Sequence, residues 1–320
     1  MKTVLVTGIA GQDGSYLTEL LLAKGYHVVG VTRDLAKANA SLSSILTNRI
    51  ELISWDLLGK MNAVEVLSRY RPTEIYNLAG YASGAGMFDD AIGIGEVNGL
   101  AVTRILEAIR EVDKNIRFCQ ASSSEIFGEA VESPQSENTA FHPRSPYGAA
   151  KLYSHEMVRI YRQRYGLFAC SAILFNHESP RRGLGFVTRK VSHTAAKIKL
   201  GLANELQLGN LDARRDWGYA KDYVRAMWLM LQASSAEDYI VATGETHSVR
   251  ELCECAFSYL GLDYKQYVRE DAAAYRPAEA SQLVGAHDKA TKLLGWIPEV
   301  DFRNLVKMMV DADLKISRQK

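Results

Sequence analysis

Four side chains carry most of the chemistry this chain could do. Ser123 and Glu125 stand in Gln120-Ala121-Ser122-Ser123-Ser124-Glu125, and Tyr147 and Lys151 in Ser145-Pro146-Tyr147-Gly148-Ala149-Ala150-Lys151. At an extended strand end, residues two apart share a side, so the Ser123 hydroxyl and the Glu125 carboxylate point the same way. On a helix, residues four apart share a face, which pairs the Tyr147 phenol with the Lys151 amine. A free phenol titrates near pH ~10, too high for a general base at neutrality. A nearby ammonium and the positive ring of an oxidised nicotinamide would favour the phenolate. The set therefore suits taking a proton from an alcohol whose carbon gives up hydride. Lys151 could also donate to ribose hydroxyls, and Ser123 could share the substrate hydroxyl's hydrogen bond. Glu125 exceeds what alcohol oxidation requires. Beside a newly formed ketone it could take a proton from the next carbon and hand one to a departing hydroxyl, which is elimination after oxidation. Tyr-x-x-x-Lys also arises by chance, and a glutamate so placed can cap a helix. The elements that carry them decide.

Those elements alternate. Thr3–Thr7 is an apolar run, followed by Gly8-Ile9-Ala10-Gly11-Gln12-Asp13-Gly14 and an amphipathic stretch over 15–24. Strand, glycine turn and helix start form a pyrophosphate site, because glycines admit close backbone approach and the helix offers free N–H groups. Gly8, Gly11, Gln12, Asp13 and Gly14 are its candidate cofactor residues. A second strand over 26–31 ends in Thr32-Arg33-Asp34, where an acidic residue directly at the strand end would favour NAD. Arg33 favours the 2′-phosphate of NADP, and Asp34 keeps NAD open. A third strand over 50–55 ends in Asp56-Leu57, with Asp56 either accepting from the adenine amine or capping a helix. A helix over 61–70 and a fourth strand over 74–78 follow. The small residues after Leu78, Ala79 and Gly80, would let a cofactor lie against the backbone. Residues 81–95 read as a loop over the site and 96–110 as a helix. Arg117–Ala121 is the fifth strand and delivers the catalytic motif. Ser145 and Pro146 open the next helix as cap and first residue. A sixth strand spans 168–175. The alternation predicts an α/β chain with a Rossmann-type doubly wound parallel sheet.

The second half changes texture. Residues 176–183 are polar and loop-like. Helices are expected over 187–200, 219–232 and 302–316, and short strands over 205–209 and 239–242. Ser248 with Glu251 forms a capping box, and Gly295 stops a helix over Asp288–Leu294. Residues 1–176 are expected to form mainly the dinucleotide-binding domain. Residues 177–320 form mainly a smaller C-terminal α/β lobe for the substrate, with about 205–245 returning to the first domain. Of the 320 residues, 47% are hydrophobic, enough for a sizeable core. A net charge of +1 gives no electrostatic case for nucleic acid or membrane as the main partner. The N-terminus enters a strand pattern without a signal peptide, and no apolar run reaches the ~18 residues of a spanning helix. Cys119, Cys170, Cys253 and Cys255 lack zinc-like spacing and read as inert thiols of a reducing, cytoplasmic compartment, with no metal expected.

With these residues in hand, the chain resembles the extended short-chain dehydrogenase/reductase family and, within its NAD-dependent epimerase/dehydratase group, the GDP-mannose 4,6-dehydratases. The likeness runs over nearly the whole length. It rests on Thr7-Gly8-Ile9-Ala10-Gly11-Gln12-Asp13-Gly14-Ser15-Tyr16-Leu17, on Gln120 to Glu125, and on Pro143-Arg144-Ser145-Pro146-Tyr147-Gly148. Further on it rests on Leu174-Phe175-Asn176-His177-Glu178-Ser179-Pro180-Arg181-Arg182-Gly183, on Phe186-Val187-Thr188-Arg189-Lys190, and on Leu208-Gly209-Asn210-Leu211-Asp212-Ala213 running into Arg215-Asp216-Trp217-Gly218. The resemblance implies that Ser123 replaces a usual threonine and that Glu125, Tyr147 and Lys151 are acid–base glutamate, tyrosine base and cofactor lysine. It makes His177 and Arg182 cofactor contacts. It assigns Asn176, Val187, Lys190, Arg215, Arg276 and Glu279 to the nucleotide sugar, the basic ones to its diphosphate. It implies a GDP-sugar 4,6-dehydratase using NADP, with NAD as the alternative, assembled as a homodimer or homotetramer. Where the family usually has Gln-Ser after Leu-Ala-Ala, this chain has Tyr81-Ala82-Ser83-Gly84-Ala85-Gly86. A cofactor tyrosine further on is replaced by Gly93. Arg33-Asp34 and a shorter loop stand in for a double arginine and serine-rich loop. Mannose, another GDP-hexose or a GDP-heptose all remain candidate sugars. The same family also holds GDP-sugar 4-reductases and epimerases, and a non-catalytic NADP(H)-binding regulator is the reading outside catalysis.

Overall fold

Val4, Leu5 and Val6 are fully buried although they point alternately to opposite faces of one strand. Val4 and Val6 pack into one core and Leu5 into another. A strand apolar on both faces belongs in the middle of a covered parallel sheet. The computed structural model describes residues 2–42, 44–58, 63–82, 88–271 and 282–319. Its strands are β1 (Thr3–Thr7), β2 (His27–Thr32), β3 (Glu51–Ser54), β4 (Glu74–Asn77), β5 (Arg117–Ala121), β6 (Ala169–Leu174), β7 (Asn176–Glu178), β8 (Leu206–Leu208), β9 (Arg214–Arg215), β10 (Trp217–Tyr219), β11 (Tyr239–Val241), β12 (His247–Ser248) and β13 (Val268–Glu270). Seven make one parallel sheet in the order β11-β6-β5-β4-β1-β2-β3. Chain order reverses between β1 and β4, which is the switch point where such sheets open a ligand crevice. Register brings Thr7 level with Asn77, and Asn77 level with Gln120.

Helices Gln12–Ala23 and Ala220–Gln232 cover one face, with Leu17, Tyr223 and Met227 against Val4 and Val6. Helices Ala63–Tyr70, Ala101–Val112 and Pro146–Tyr165 cover the other through Val66, Ile105 and Val158. The doubly wound α/β sheet expected from the sequence is present. A third core gathers Val191, Leu206, Trp217, Phe257 and Val310 from the second half. Among the described residues no helix is long and apolar enough to cross a membrane.

Several local signals act as their chemistry predicts. Ser145 accepts from Gly148 N–H at 3.0 Å with Pro146 at the first helical position. Ser248 and Glu251 complete a capping box. Three stretches differ from expectation. Asn176–Glu178, read as loop, pairs in parallel with Trp217–Tyr219, and its polar composition hid a three-residue strand whose partner lies far along the chain. The segment read as loop up to 95 is already helical at Ala91–Ile94, capped by Asp90, and runs through a π-helical turn, Gly95–Leu100, into Ala101–Val112. Gly93, Gly95 and Gly99 lower the helical signal there. After β2, Asp34 caps a helix over Leu35–Ser41 by accepting from Lys37 N–H at 2.9 Å, where a loop was expected. The start of the helix expected at 61 lies outside the described residues.

The closing helix Phe302–Arg318 is fastened by a buried ion pair. Arg189 donates Nε and Nη2 to Asp313 at 2.7–3.0 Å, and the Ser192 hydroxyl adds a bond at 2.7 Å. Arg189 Nη1 also donates to the carbonyls of Pro180 and Arg182. Removing one partner of a buried pair strands the other charge, at about 3–5 kcal/mol. Asp313→Ala is therefore expected to lower the unfolding free energy by about that much in urea denaturation. A loss below ~1 kcal/mol would mean that solvent already shares the site.

Candidate active site

At the end of β1 the chain turns where no side chain fits. Gly8 has φ +67°, and a Cβ there would lie 2.8 Å from Ala79 N and 2.9 Å from the Leu78 carbonyl. A Cβ at Gly14 would lie 2.4 Å from the Gly8 carbonyl oxygen, and one at Gly11 would lie 3.2 Å from it. The turn thus closes tightly under the start of helix Gln12–Ala23 and against the end of β4. Its form suits the pyrophosphate of a dinucleotide.

Buried hydrogen bonds then run across the carboxyl ends of the strands. Thr7 donates its hydroxyl to Asn77 Oδ1 at 2.6 Å and accepts from the N–H groups of Leu78 and Ala79 at 3.1 and 3.0 Å. Asn77 Nδ2 donates to Gln120 Oε1 at 2.7 Å. Gln120 Nε2 reaches the Ala121 carbonyl at 3.0 Å, and Lys151 Nζ donates to that same oxygen at 2.7 Å. The lysine is thereby anchored from the helix to the strand end. Its burial drives the ammonium down to about 8, with the charge of Asp13 opposing.

Strand β5 ends at Ala121; Ser123, still extended two residues on, caps the short helical turn Ser124–Ile126 by accepting from Glu125 N–H at 3.2 Å, so Glu125 sits on a turn and not on the extended strand end expected from the sequence. Tyr147 stands beside them in the first turn of its helix, 6% exposed. Burial pushes its phenol up to about 12; the hydrogen bond with Ser123 works against this and the Glu125 charge with it. Lys151 Nζ lies 5.7 Å from the centre of the Tyr147 ring. Hydroxyl, carboxylate, phenol and amine therefore share one site. The expected phenolate is not favoured by the protein's own groups: burial outweighs them, so a proton taken by Tyr147 needs further positive charge nearby. Gly148 was not singled out as a site residue. A Cβ there would lie 2.6 Å from the Glu125 carbonyl oxygen, so glycine lets the helix start press against the turn that carries the carboxylate. The small residue directly after Tyr147 was the available signal.

His177 joins the cradle to the second half. Its Nε2 donates to Asp13 Oδ2 at 2.9 Å and its Nδ1 to the Phe175 carbonyl at 2.7 Å. Two acceptors on one ring favour the doubly protonated imidazolium. Burial opposes that charge, but Asp13 overcomes it and holds His177 above its usual value. Burial likewise works to raise Asp13, and His177 wins, leaving the carboxyl below its usual range. Gln12 donates to the His177 carbonyl at 3.1 Å and accepts from Ser179 at 2.7 Å. Arg182 lies over the Phe186 ring at 3.5 Å with Nε 3.2 Å from Glu178, and its charge reaches Asp13, Tyr147 and His177.

The remaining candidates are placed as follows. Leu57 is buried, Leu78 and Ala79 partly buried, and Gly80 exposed, its missing Cβ leaving room for Asn98 Oδ1. Arg33 is exposed at the end of β2. Asp56 accepts from Leu58 N–H at 3.1 Å. Asn176 lies on β7 beside Trp217, Val187 opens helix Val187–Lys199, and Lys190 is exposed on it. Arg215 pairs with His247 and donates Nη1 to the Arg214 carbonyl at 2.6 Å. Arg276 and Glu279 lie outside the described residues. The thiols are free, and among the described residues no group of three acidic, His or Cys side chains could hold a metal.

A family profile described as GDP-mannose 4,6 dehydratase matches residues 5–309. GDP-mannose 4,6 dehydratase 2 of Arabidopsis thaliana is 46% identical over all of this chain and 88% of its own length. Among solved structures, the Thermus thermophilus UDP-glucose 4-epimerase in complex with NAD superposes with a TM-score of 0.84 at 27% identity, over 97% of this chain and 98% of its own. RMD from Pseudomonas aeruginosa, complexed with NADPH, superposes at 0.83 and 24% identity over 99% and 100%, a likeness of fold.

The His177–Asp13 bond carries a pH dependence. With His177 above its ordinary value, the stabilisation is full below about pH 6.5 and is lost as pH rises through the folded value. Asp13, below its ordinary value, adds stability above about pH 3.9 that is lost on acidification. The difference in unfolding free energy between the native chain and His177→Asn is expected to be greatest around pH ~5–6 and to shrink in alkali. A difference flat from acid to alkali would contradict an imidazolium there.

Proposed function

The chain belongs to the GDP-mannose 4,6-dehydratase family, and we propose that it is a hydro-lyase converting GDP-mannose, or a closely related GDP-hexose or GDP-heptose, to the 4-keto-6-deoxy sugar nucleotide. The carrying observation is the turn that brings the Glu125 charge within reach of Tyr147, since alcohol oxidation alone has no use for that carboxylate. The glycine turn fits a dinucleotide, because a Cβ at Gly8 or Gly14 would strike the backbone of Leu78 and Ala79 or of Gly8 and Ile9 and force the turn open. Gly8, Gly11, Gln12, Asp13, Gly14, Leu78, Ala79, Gly80 and Lys151 would hold it, with Asp56, Leu57, His177 and Arg182 around it. Arg33 at the end of β2 supports NADP. When bound, that cofactor would supply the hydride acceptor for sugar C4 and the hydride donor for C6.

The chain's own residues supply the proton transfers. Tyr147 takes the proton of the 4-hydroxyl, with Ser123 sharing its hydrogen bond; the nicotinamide's positive charge offsets the burial that keeps the phenol protonated. The C4 ketone then acidifies the C5 proton, and Glu125 removes it. Glu125 returns that proton to the 6-hydroxyl as the C6–O bond breaks, so the oxygen leaves as water. C5 then gains a proton in place of the one that left with the water, Tyr147 gives up the proton it took from the 4-hydroxyl, and hydride at C6 completes the product, so protons as well as oxidation and reduction cancel. Lys190, Arg215 and Arg276 would neutralise the diphosphate, with Asn176, Val187 and Glu279 about the nucleotide sugar. Residues 1–176 as cofactor portion, 177–320 as substrate portion, a cytoplasmic homodimer or homotetramer and NADP over NAD belong to the same proposal.

Incubation with GDP-mannose and NADP is expected to give a product lighter by one water in mass spectrometry. Glu125→Gln is expected to lower that rate by about 10²–10⁴-fold while GDP-mannose binding changes little. A Glu125→Gln enzyme within about threefold of the native rate would remove the carboxylate from the mechanism.

A further inference from the structure

Tyr81 is exposed, yet it is held at both ends. Asn98, buried on the π-helical turn, accepts from Tyr81 N–H through Oδ1 at 2.8 Å and donates Nδ2 to the Tyr81 carbonyl at 3.1 Å. At the far end the phenol donates to Asp90 Oδ2 at 2.9 Å, while Asp90 Oδ1 accepts from Gly93 N–H at 2.9 Å. A Cβ at Gly93 would lie 2.1 Å from Asp90 Oδ2 and 2.8 Å from the phenol oxygen, so the lock requires glycine at 93. Fixing an exposed aromatic costs rotamer entropy, which here is met before any ligand arrives.

The position is informative. Tyr81 directly follows Leu78-Ala79-Gly80, whose backbone closes against Gly8. The positive charge of Arg33, at the end of β2, reaches its phenol. Tyr81 thus adjoins the segment that closes on the glycine turn at the switch point, the crevice that holds the dinucleotide in sheets of this kind. We propose that Tyr81, locked by Asp90 and Asn98 over Gly93, is the wall that positions the adenosine half of the dinucleotide and sets much of its affinity. The inference rests on reading this crevice as a dinucleotide site. A pre-fixed ring presents apolar surface and a hydroxyl edge without further ordering, so binding keeps more of its contact energy.

NADPH fluorescence titration tests this on the native chain, Tyr81→Phe, Tyr81→Ala and Gly93→Ala, with GDP binding read in parallel by calorimetry. Tyr81→Phe removes the hydroxyl, and Gly93→Ala pushes the Asp90 and Tyr81 ends apart while leaving the residue at 81 a tyrosine. Each is expected to raise the NADPH Kd roughly three- to tenfold, Tyr81→Ala to raise it more, and the Phe/Ala double variant to be no weaker than either single. GDP affinity is expected to stay within about twofold. A native chain that binds NADPH with all variants unchanged overturns the inference and leaves the dinucleotide reading intact. A native chain that binds neither NADPH nor NADH overturns both. A loss confined to GDP would put Tyr81 in the sugar-nucleotide pocket and overturn it equally.

Discussion

The Ala121 carbonyl is the point on which the site depends. It accepts from Gln120 Nε2 and Lys151 Nζ, and Gln120 is bonded in turn to Asn77, and Asn77 to Thr7. Polar side chains at three adjacent strand ends are buried, so each must find a partner inside the protein. The parallel register supplies it, with Thr7, Asn77 and Gln120 abreast. One consequence is mechanical: the lysine's helix is referenced to the same strand ends that carry the glycine turn. Another is electrostatic. The amine is fixed where burial brings its titration to about 8, nearer neutrality than a free lysine.

Charge and amide contacts join the two halves of the chain, in addition to the apolar core that helix Ala220–Gln232 and β11 share with the sheet. Asp13 with His177, Gln12 with Ser179, and Glu19 with Arg181 all join the first helix to residues 177–181. Arg189 then carries the carbonyls of Pro180 and Arg182 to Asp313 on the last helix. The turn that bears Arg182 is thus fixed from the glycine cradle on one side and from the C-terminal helix on the other. A shift in either would move the arginine whose charge acts on Tyr147.

Much of this was legible in the sequence where one residue type has one local use. A glycine turn after an apolar strand, a serine before a proline, and a capping box each name their own geometry, and the structure has all three. What escaped was set by distant partners. Asn176–Glu178 is a strand because Trp217–Tyr219 lies beside it. Glycines hid the helical and π-helical turns before residue 101, where Asp90 and Asn98 act through tertiary contacts. Among site residues, Ser123, Glu125 and Tyr147 were expected to share a site, but a short helical turn and not the alternation of a strand carries Glu125 there. The His177–Asp13 bond was not expected, since 164 positions separate the partners. Gly148 carries no chemistry of its own, and its use lies in the Glu125 carbonyl packed against it.

The central claim is that oxidation, loss of water and reduction occur within one site using one hydride. GDP-mannose carrying deuterium at sugar C4, turned over by the native protein with unlabelled NADP, tests it directly. The account predicts a product lighter by one water that has kept the deuterium, now on C6, as read by mass spectrometry and proton NMR. A dehydrated product with the deuterium lost to the pool, or an oxidised sugar that retains its 6-hydroxyl, would contradict it.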